Sequence, residues 1–479
     1  PKVTNGGLRV SFHALIPPCL PVNHNFKRIF QDKFFDSHQL CDMPLVICRE
    51  YLFQNSATYR TLTPLTHLPH SPASLPTRPP LPARNKLALS FRSTPGITQT
   101  HLKEQNVSEI VIPTELLPVD GRFGSGPSKV RQEQTDALAR VWQSYLGTSH
   151  RQSTVRNEVK RLREGLANLF ELPEGYEVIL GNGGSTAFWD IASFGLIRDR
   201  AQFLTFGEFG AKFASGSQKA PHLGEQDIRT SDPGSAPVFQ AVAGIDAYCT
   251  PHNETSTGVA FTPKRVIGAD SDSLMIIDAT SGAGGLAVDA KEFDTYYFAP
   301  QKSFGSDGGL WLALMSPAAI ERATKIKESG RWIPDFLDLV TAIDNSRLQQ
   351  TYNTPALATI YMMAEQVDWF NTNGGMAWTT ARTAESSNMI YDWAQASEVL
   401  SPFVSDPALR SGVVATIDVD DSIDATLITK ALRANGILDT EPYRKLGRNQ
   451  LRIAVFPAVD PADVRALLAS IDYVIAQLT

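Results

Sequence analysis

Tyr296–Gly309, YYFAPQKSFGSDGG, sets one lysine directly behind an apolar run and just ahead of a glycine-rich loop. The run TYYFA (295–299) reads as a buried strand, so Lys302 follows its carboxyl end by a short turn. Lysine is costly to bury and ordinarily lies along a wet helix face. In an open parallel sheet, however, ligands collect at the carboxyl ends of the strands. Upstream, SLMIID (273–278) is a second apolar run, and it closes on Asp278, which therefore reaches the same rim.

The rest of the pattern makes this sheet parallel. EVIL (177–180) and QFLTFG (202–207) read as short buried strands flanking the helical STAFWDIASFGLI (185–197). Ahead of them, STVRNEVKRLREGLANLF places Val155, Val159, Leu162, Leu166 and Leu169 on one helical stripe with basic residues opposite. Strands alternating with helices imply an α/β fold whose parallel sheet is covered by helices. After about residue 372, VVATIDV, ATLITKALRANG, LRIAVF and PADVRALLASIDYVIAQL repeat the alternation and predict a smaller C-terminal α/β domain. The division expected is 1–105 as an extension, 106–372 as a large domain with an N-terminal arm, and 373–479 as the small domain.

The extension has its own texture. It holds 12 Lys or Arg against 5 Asp or Glu and 13 of the chain's 31 prolines, with no acidic residue between Tyr51 and Lys103. Such composition predicts a largely disordered segment, with an organellar leader as the alternative to a cytoplasmic protein. Across 479 residues the formal net charge is −6, which argues against nucleic acid as the main partner. No apolar stretch approaches the length of a membrane span. The four cysteines, Cys19, Cys41, Cys48 and Cys249, form no CxxC pair and no zinc pattern, so no metal site is expected; His38 beside Cys41 and Cys48 is the one faint lead.

An anchored lysine opposite a buried carboxylate has two readings. One is an ordinary ion pair at a sheet edge. The other is a Schiff-base lysine with lowered pKa, facing an acid that pairs with a pyridinium nitrogen; pyridoxal phosphate wants both groups. Three further stretches bear on the choice. GNGGSTAF (181–188) leaves a strand and opens a helix at Gly184, Ser185 and Thr186, where backbone amides and the helix dipole suit a phosphate, though a plain helix cap explains it too. NETSTG (253–258) offers Thr255 to a ring hydroxyl, or else a turn residue. GEFGAKF (207–213) offers Phe209 for stacking on a ring, or else for the core.

FGSGPS, SHR, GNGGST, NET, DATS, APQKSFG, YNTP and the C-terminal YR…LR segment occur in the order seen in the phosphoserine aminotransferases. From about Val107 to Thr479 the chain resembles that family of class V, fold-type I pyridoxal-phosphate enzymes. The resemblance implies a seven-stranded-type sheet and transfer of an amino group between glutamate and 3-phosphohydroxypyruvate, as in serine biosynthesis. It implies Lys302 as the lysine that binds the cofactor and Asp278 as the partner of its ring nitrogen. It also implies Phe209 as the stacking residue, Thr255 near the ring oxygen, and Gly184, Ser185, Thr186 and Gln301 as the phosphate cradle. Asn353 and Thr354 match residues that reach across a homodimer to the partner's cofactor phosphate. Arg452 matches the α-carboxylate clamp; His150, Arg151 and Arg444 match the cluster for the distal phosphate or the glutamate side chain; Ser125 completes the substrate set. The chain departs from the family where Gly-Arg is usual and Ser185-Thr186 stands, where Phe209 replaces tryptophan, and where Tyr443 replaces histidine. Rival readings are another class V aminotransferase acting on glyoxylate or alanine, or a non-catalytic binding protein of the same fold. A desulfurase of the superfamily fits poorly, since no cysteine follows Cys249.

Overall fold

The computed structural model describes residues 107–479. The proline-rich segment, with its expected disorder, its reading as a leader, and Cys19, Cys41, Cys48 and His38, lies outside the described residues. In chain order the first elements are α1 (Gln132–Tyr145), α2 (Ser153–Leu169), β1 (Glu177–Asn182), α3 (Ser185–Gly195), β2 (Ala201–Thr205), α4 (Glu208–Gln218), β3 (Asp227–Thr230) and β4 (Ala247–Pro251). A small hairpin, β5 (Asn253–Glu254) and β6 (Val259–Ala260), precedes β7 (Leu274–Asp278), β8 (Thr295–Phe298) and β9 (Leu310–Met315). Four helices follow: α5 (Pro317–Glu328), α6 (Leu339–Arg347), α7 (Leu357–Thr372) and α8 (Gly375–Ala396). The chain ends with β10 (Leu400–Pro402), β11 (Val414–Val419), α9 (Ala425–Ala434), β12 (Gln450–Ala454) and α10 (Pro461–Leu478).

Seven strands form one sheet in the order β1-β9-β8-β7-β4-β2-β3. Its pairs are parallel except at β9, which runs antiparallel to both β1 and β8. Only eleven residues separate β8 from β9, too few for a helical crossover, so the chain turns back. Side chains alternate across the sheet. Along β7, Leu274 and Ile276 join the core on one face while Met275 and Ile277 join the core on the other. The five apolar residues of the α2 stripe are all buried, and Val159, Leu162, Leu166 and Leu169 join the core on the second face. Each such side chain contributes about 1.5–3 kcal/mol when removed from water, enough to fix which way the helix faces.

A second, three-stranded antiparallel sheet, β10-β11-β12, carries its own core with α8, α9 and α10. The N-terminal arm, read from the sequence with the large domain, belongs to this core instead. Val107, Ile112 and Phe123 pack among its residues, and Ile112 N–H donates to the Asn435 side chain at 3.0 Å. Helix α7 starts at Leu357 behind Ala356, with no side-chain cap from Asn353 or Thr354.

Candidate active site

Strands β7 and β8 end side by side, and the residues that follow them line one cavity of about 430 Å³. Lys302 is 9% exposed and Asp278 6%. The backbone around the lysine is gripped by the FGSGPS stretch: Ser128 N–H donates to Gln301 O at 2.9 Å, and Ser128 Oγ donates to Lys302 O. Lys302 Nζ donates to Ser125 O. Gly126, at φ +129°, leaves just enough room, since a Cβ there would collide with the lysine side chain. Burial and, next, the Arg452 guanidinium push the Lys302 amine down to about 8, against a smaller opposing pull from Asp278 and Glu254. An amine with that value is partly neutral near physiological pH, as a nucleophile or proton acceptor requires.

Asp278 is held by neutral donors. Thr280 N–H donates to Oδ1 at 3.0 Å, the Thr280 hydroxyl lies 2.5 Å from the same oxygen, and Trp189 Nε1–H donates to Oδ2 at 2.9 Å. Thr280 Oγ1 also lies 2.6 Å from Ser185 Oγ. Ser185 and Thr186 form the first turn of α3 behind Gly184, which takes the N-cap position without a side-chain cap, so neither hydroxyl is spent on capping. First-turn amides have no helical partner, and all three residues line the cavity.

Phe209 and Thr255 line the same cavity. Thr255 Oγ1 donates to Ser281 Oγ at 2.8 Å. Phe209 is fixed by its backbone, because Glu254 Oε2 accepts the Phe209 and Gly210 amides, both at 3.0 Å, at the start of α4. Glu254 is fully buried, and burial pushes its carboxyl up despite these bonds and one from Ser256. A Cβ at Gly207 would strike the Glu254 side chain, so a glycine is needed where the carboxylate reaches the helix. Trp189, Thr280 and Glu254 were not anticipated. The local signal for Thr280 was the Asp-x-Thr spacing, and for Glu254 the NET triplet; Trp189 carried only its place four residues after Ser185.

Gly126 and Pro127 are shared with a second cavity of about 350 Å³, lined also by Ser125, Arg444 and Arg452. Arg452 projects from β12; its Nη1 reaches Thr255 O at 3.5 Å, and its guanidinium lies 5.6 Å from the Tyr443 ring centroid. The other expected residues are not brought here by the same chain. Arg151 donates to Gln350 Oε1 at 2.8 Å. His150 Nδ1 lies 3.3 Å from Thr354 Oγ1, and Asn353 N–H donates to Asn182 Oδ1 at 3.3 Å. His150 and Arg151, expected beside Arg444, therefore form a separate group with Asn353 and Thr354 that lines neither cavity. The SHR stretch precedes α2, whose packing on α7 carries it away from β12.

The first cavity has the volume of a cofactor site. Gln301 Oε1 and Asn253 Oδ1, both lining it, and Arg452 Nε are buried without a hydrogen-bond partner. Buried polar atoms are rarely left so, and here they surround an amine, a carboxylate and a helix N-terminus. That set of groups fits pyridoxal phosphate. Among the described residues no helix is long and apolar enough to cross a membrane, and no three His, Cys, Asp or Glu are grouped to hold a metal.

Comparison with known proteins converges on one family. The class-V aminotransferase family profile matches residues 244–439. The phosphoserine aminotransferase of Rhodococcus jostii is 59% identical over 368 residues, covering 77% of this chain and 98% of that protein. Among solved structures, a phosphoserine aminotransferase from Cytophaga hutchinsonii superposes with a TM-score of 0.68 at 21% identity, over 74% of this chain and 99% of that one. The pyridoxal-phosphate-bound phosphoserine aminotransferase from Trichomonas vaginalis gives 0.62 at 19% identity, with the same coverages.

Proposed function

The chain belongs to the phosphoserine aminotransferase family of class V aminotransferases, and we propose a division of labour among its residues in the transfer of an amino group between L-glutamate and 3-phosphohydroxypyruvate. The observation that carries it is Lys302: an amine buried at the sheet rim, lowered to about 8, facing a fixed carboxylate. Pyridoxal phosphate, when bound, supplies an aldehyde for the amine and an electron-withdrawing ring. Lys302 would hold the cofactor through its amine and would be the base that moves a proton at the substrate's α-carbon. Asp278 would keep a proton on the ring nitrogen. Phe209 would pack against the bound ring, and Thr255 would offer its hydroxyl to the ring oxygen. Ser185, Thr186, Gly184 and Gln301 receive the phosphate through amides and hydroxyls, consistent with the missing arginine of the usual Gly-Arg pair.

Arg452 takes the α-carboxylate, for which a guanidinium offers a two-pronged fork. Arg444 and Ser125, on the same cavity, take the distal anion. His150, Arg151, Asn353 and Thr354 sit apart from their own chain's cavities and serve the site of a second copy. Exposed Leu348 and Tyr352, 55% and 46% accessible, lie just before Asn353 in the chain and supply an apolar rim for that homodimer. The same clamps would admit phosphohydroxythreonine, an amino product of pyridoxine biosynthesis; its oxo-acid competing with phosphohydroxypyruvate would show it. A cytoplasmic site of action completes the reading and is checked by cell fractionation.

The deciding experiment is an absorbance spectrum before and after glutamate. Wild-type protein should show the visible band of the lysine-bound cofactor and lose it on adding glutamate, and Lys302→Ala should lack it. A variant with an unchanged band and full turnover would refute the assignment. For the dimer, mixing Lys302→Ala with Thr354→Ala subunits should restore activity that neither has alone; a monomer in sedimentation would exclude it.

A further inference from the structure

Helix α3 touches both ends of the first cavity. Ser185 opens it, and Trp189 lies four residues on, on the same helical face. The Trp189 indole, 8% exposed, walls the cavity and donates to Oδ2 of Asp278 at 2.9 Å. Thr280 ties Oδ1 from the other side through both its N–H and its hydroxyl. A carboxylate offers about four lone-pair sites, and these bonds occupy three of them. The fourth belongs to Oδ2, the oxygen that Trp189 orients. The carboxylate plane cannot turn without breaking one of the three bonds, and in a buried site each broken bond leaves a polar atom unpaired.

We infer that Trp189 is a positioning residue: with Thr280 on the opposite oxygen, its indole N–H pins Asp278 so that the one free lone pair of Oδ2 faces the ring nitrogen of the bound cofactor. This rests on the cavity being a pyridoxal-phosphate site. Because Ser185 and Trp189 share one helix, the phosphate end and the ring-nitrogen end are referenced to the same rigid element.

The test compares two ligands on cofactor-free protein. Pyridoxal phosphate bonds to Asp278 through its ring nitrogen; 1-deazapyridoxal phosphate, with C–H in that place, does not. Trp189→Phe keeps the wall and removes only the donor. Its dissociation constant for pyridoxal phosphate should rise about tenfold or more, the worth of one hydrogen bond to a charged group, while that for the deaza analogue stays within about twofold. An equal rise for both ligands, or for neither, overturns the inference, since a wall that merely fills space makes no such distinction. Thr280→Val repeats the test on the opposite oxygen without disturbing the packing of the indole; its hydroxyl also touches Ser185, so both ligands weaken, and the loss should be larger for pyridoxal phosphate than for the analogue. If wild-type protein itself fails to prefer pyridoxal phosphate over the analogue, the pairing of Asp278 with the ring falls and the inference with it. A wild-type preference that Trp189→Phe and Thr280→Val both retain in full removes the inference alone.

Discussion

Replacing Lys302 with methionine should stabilise the cofactor-free protein at neutral pH. In the unfolded chain the amine titrates near its ordinary 10.5; in the folded protein burial, and then Arg452, bring it to about 8. That gap corresponds to a penalty of about 3 kcal/mol for folding with the proton on. Below about pH 8 both states carry the proton and the penalty is felt in full. Between 8 and 10.5 the unfolded chain binds more protons than the folded one, so wild-type stability climbs with pH and the penalty fades. Methionine removes the charge at similar length but leaves Ser125 O without its donor, at a cost of about 1 kcal/mol. The variant should therefore be more stable by about 2 kcal/mol near pH 7 and less stable by about 1 kcal/mol above pH 10.5, with the sign reversing close to about pH 10. Urea unfolding of both cofactor-free proteins at several pH values, read as a shift in midpoint with unchanged slope, measures this. A stability difference independent of pH, or a less stable variant throughout, would mean the amine is not desolvated, and its proposed activation would fail with it.

Gly126→Ala should cost the cofactor band and about 1–3 kcal/mol of stability, because φ +129° suits glycine alone and the new Cβ meets Lys302; thermal unfolding and the visible spectrum report both. Arg452→Ala should raise KM for glutamate and for the oxo-acid alike, by about tenfold or more, if it clamps the carboxylate they share; a rise for only one substrate rejects that role. Asp246→Asn should destabilise the fold by about 3–5 kcal/mol, since this buried carboxylate accepts the Arg198, Asp199 and Arg200 amides and pairs with buried Arg322 at 3.1 Å; chemical denaturation reads the loss.

The centre of the site was legible because its two decisive residues each end an apolar run. A buried strand that stops on Asp278, and another that stops just short of Lys302, place both groups on one rim by strand geometry alone. Strand β9 was harder: LWLALM is apolar throughout, so its pattern carries neither face nor direction, and only the short connection from β8 encodes the reversal. The contact between Trp189 and Asp278 spans 89 positions and leaves no local trace. The arm 107–123 misled for a related reason. Its order in the chain puts it next to the large sheet, but Val107, Ile112 and Phe123 find their apolar partners on the small one. Likewise SHR and YR…LR look like one anion cluster as motifs, yet a single chain holds them apart.

The two cavities meet at Gly126 and Pro127, and Arg452 acts across that seam. Its charge is the second cause of the lowered Lys302 amine. A carboxylate seated on Arg452 cancels that charge, so the amine's proton affinity must rise when substrate arrives and fall when product leaves. Coupling of this kind is reciprocal: whatever makes the lysine hold its proton more tightly is itself bound more tightly when the proton is on. A simple dicarboxylate such as glutarate should therefore bind the cofactor-free protein better below about pH 8 than above it, and this pH dependence should vanish in Lys302→Met. If glutarate affinity instead follows the same pH curve in both proteins, the lysine and the clamp do not sense one another. Coupling of this sign would make the amine most basic when a substrate carboxylate is in place, which is when a proton has to be taken from carbon.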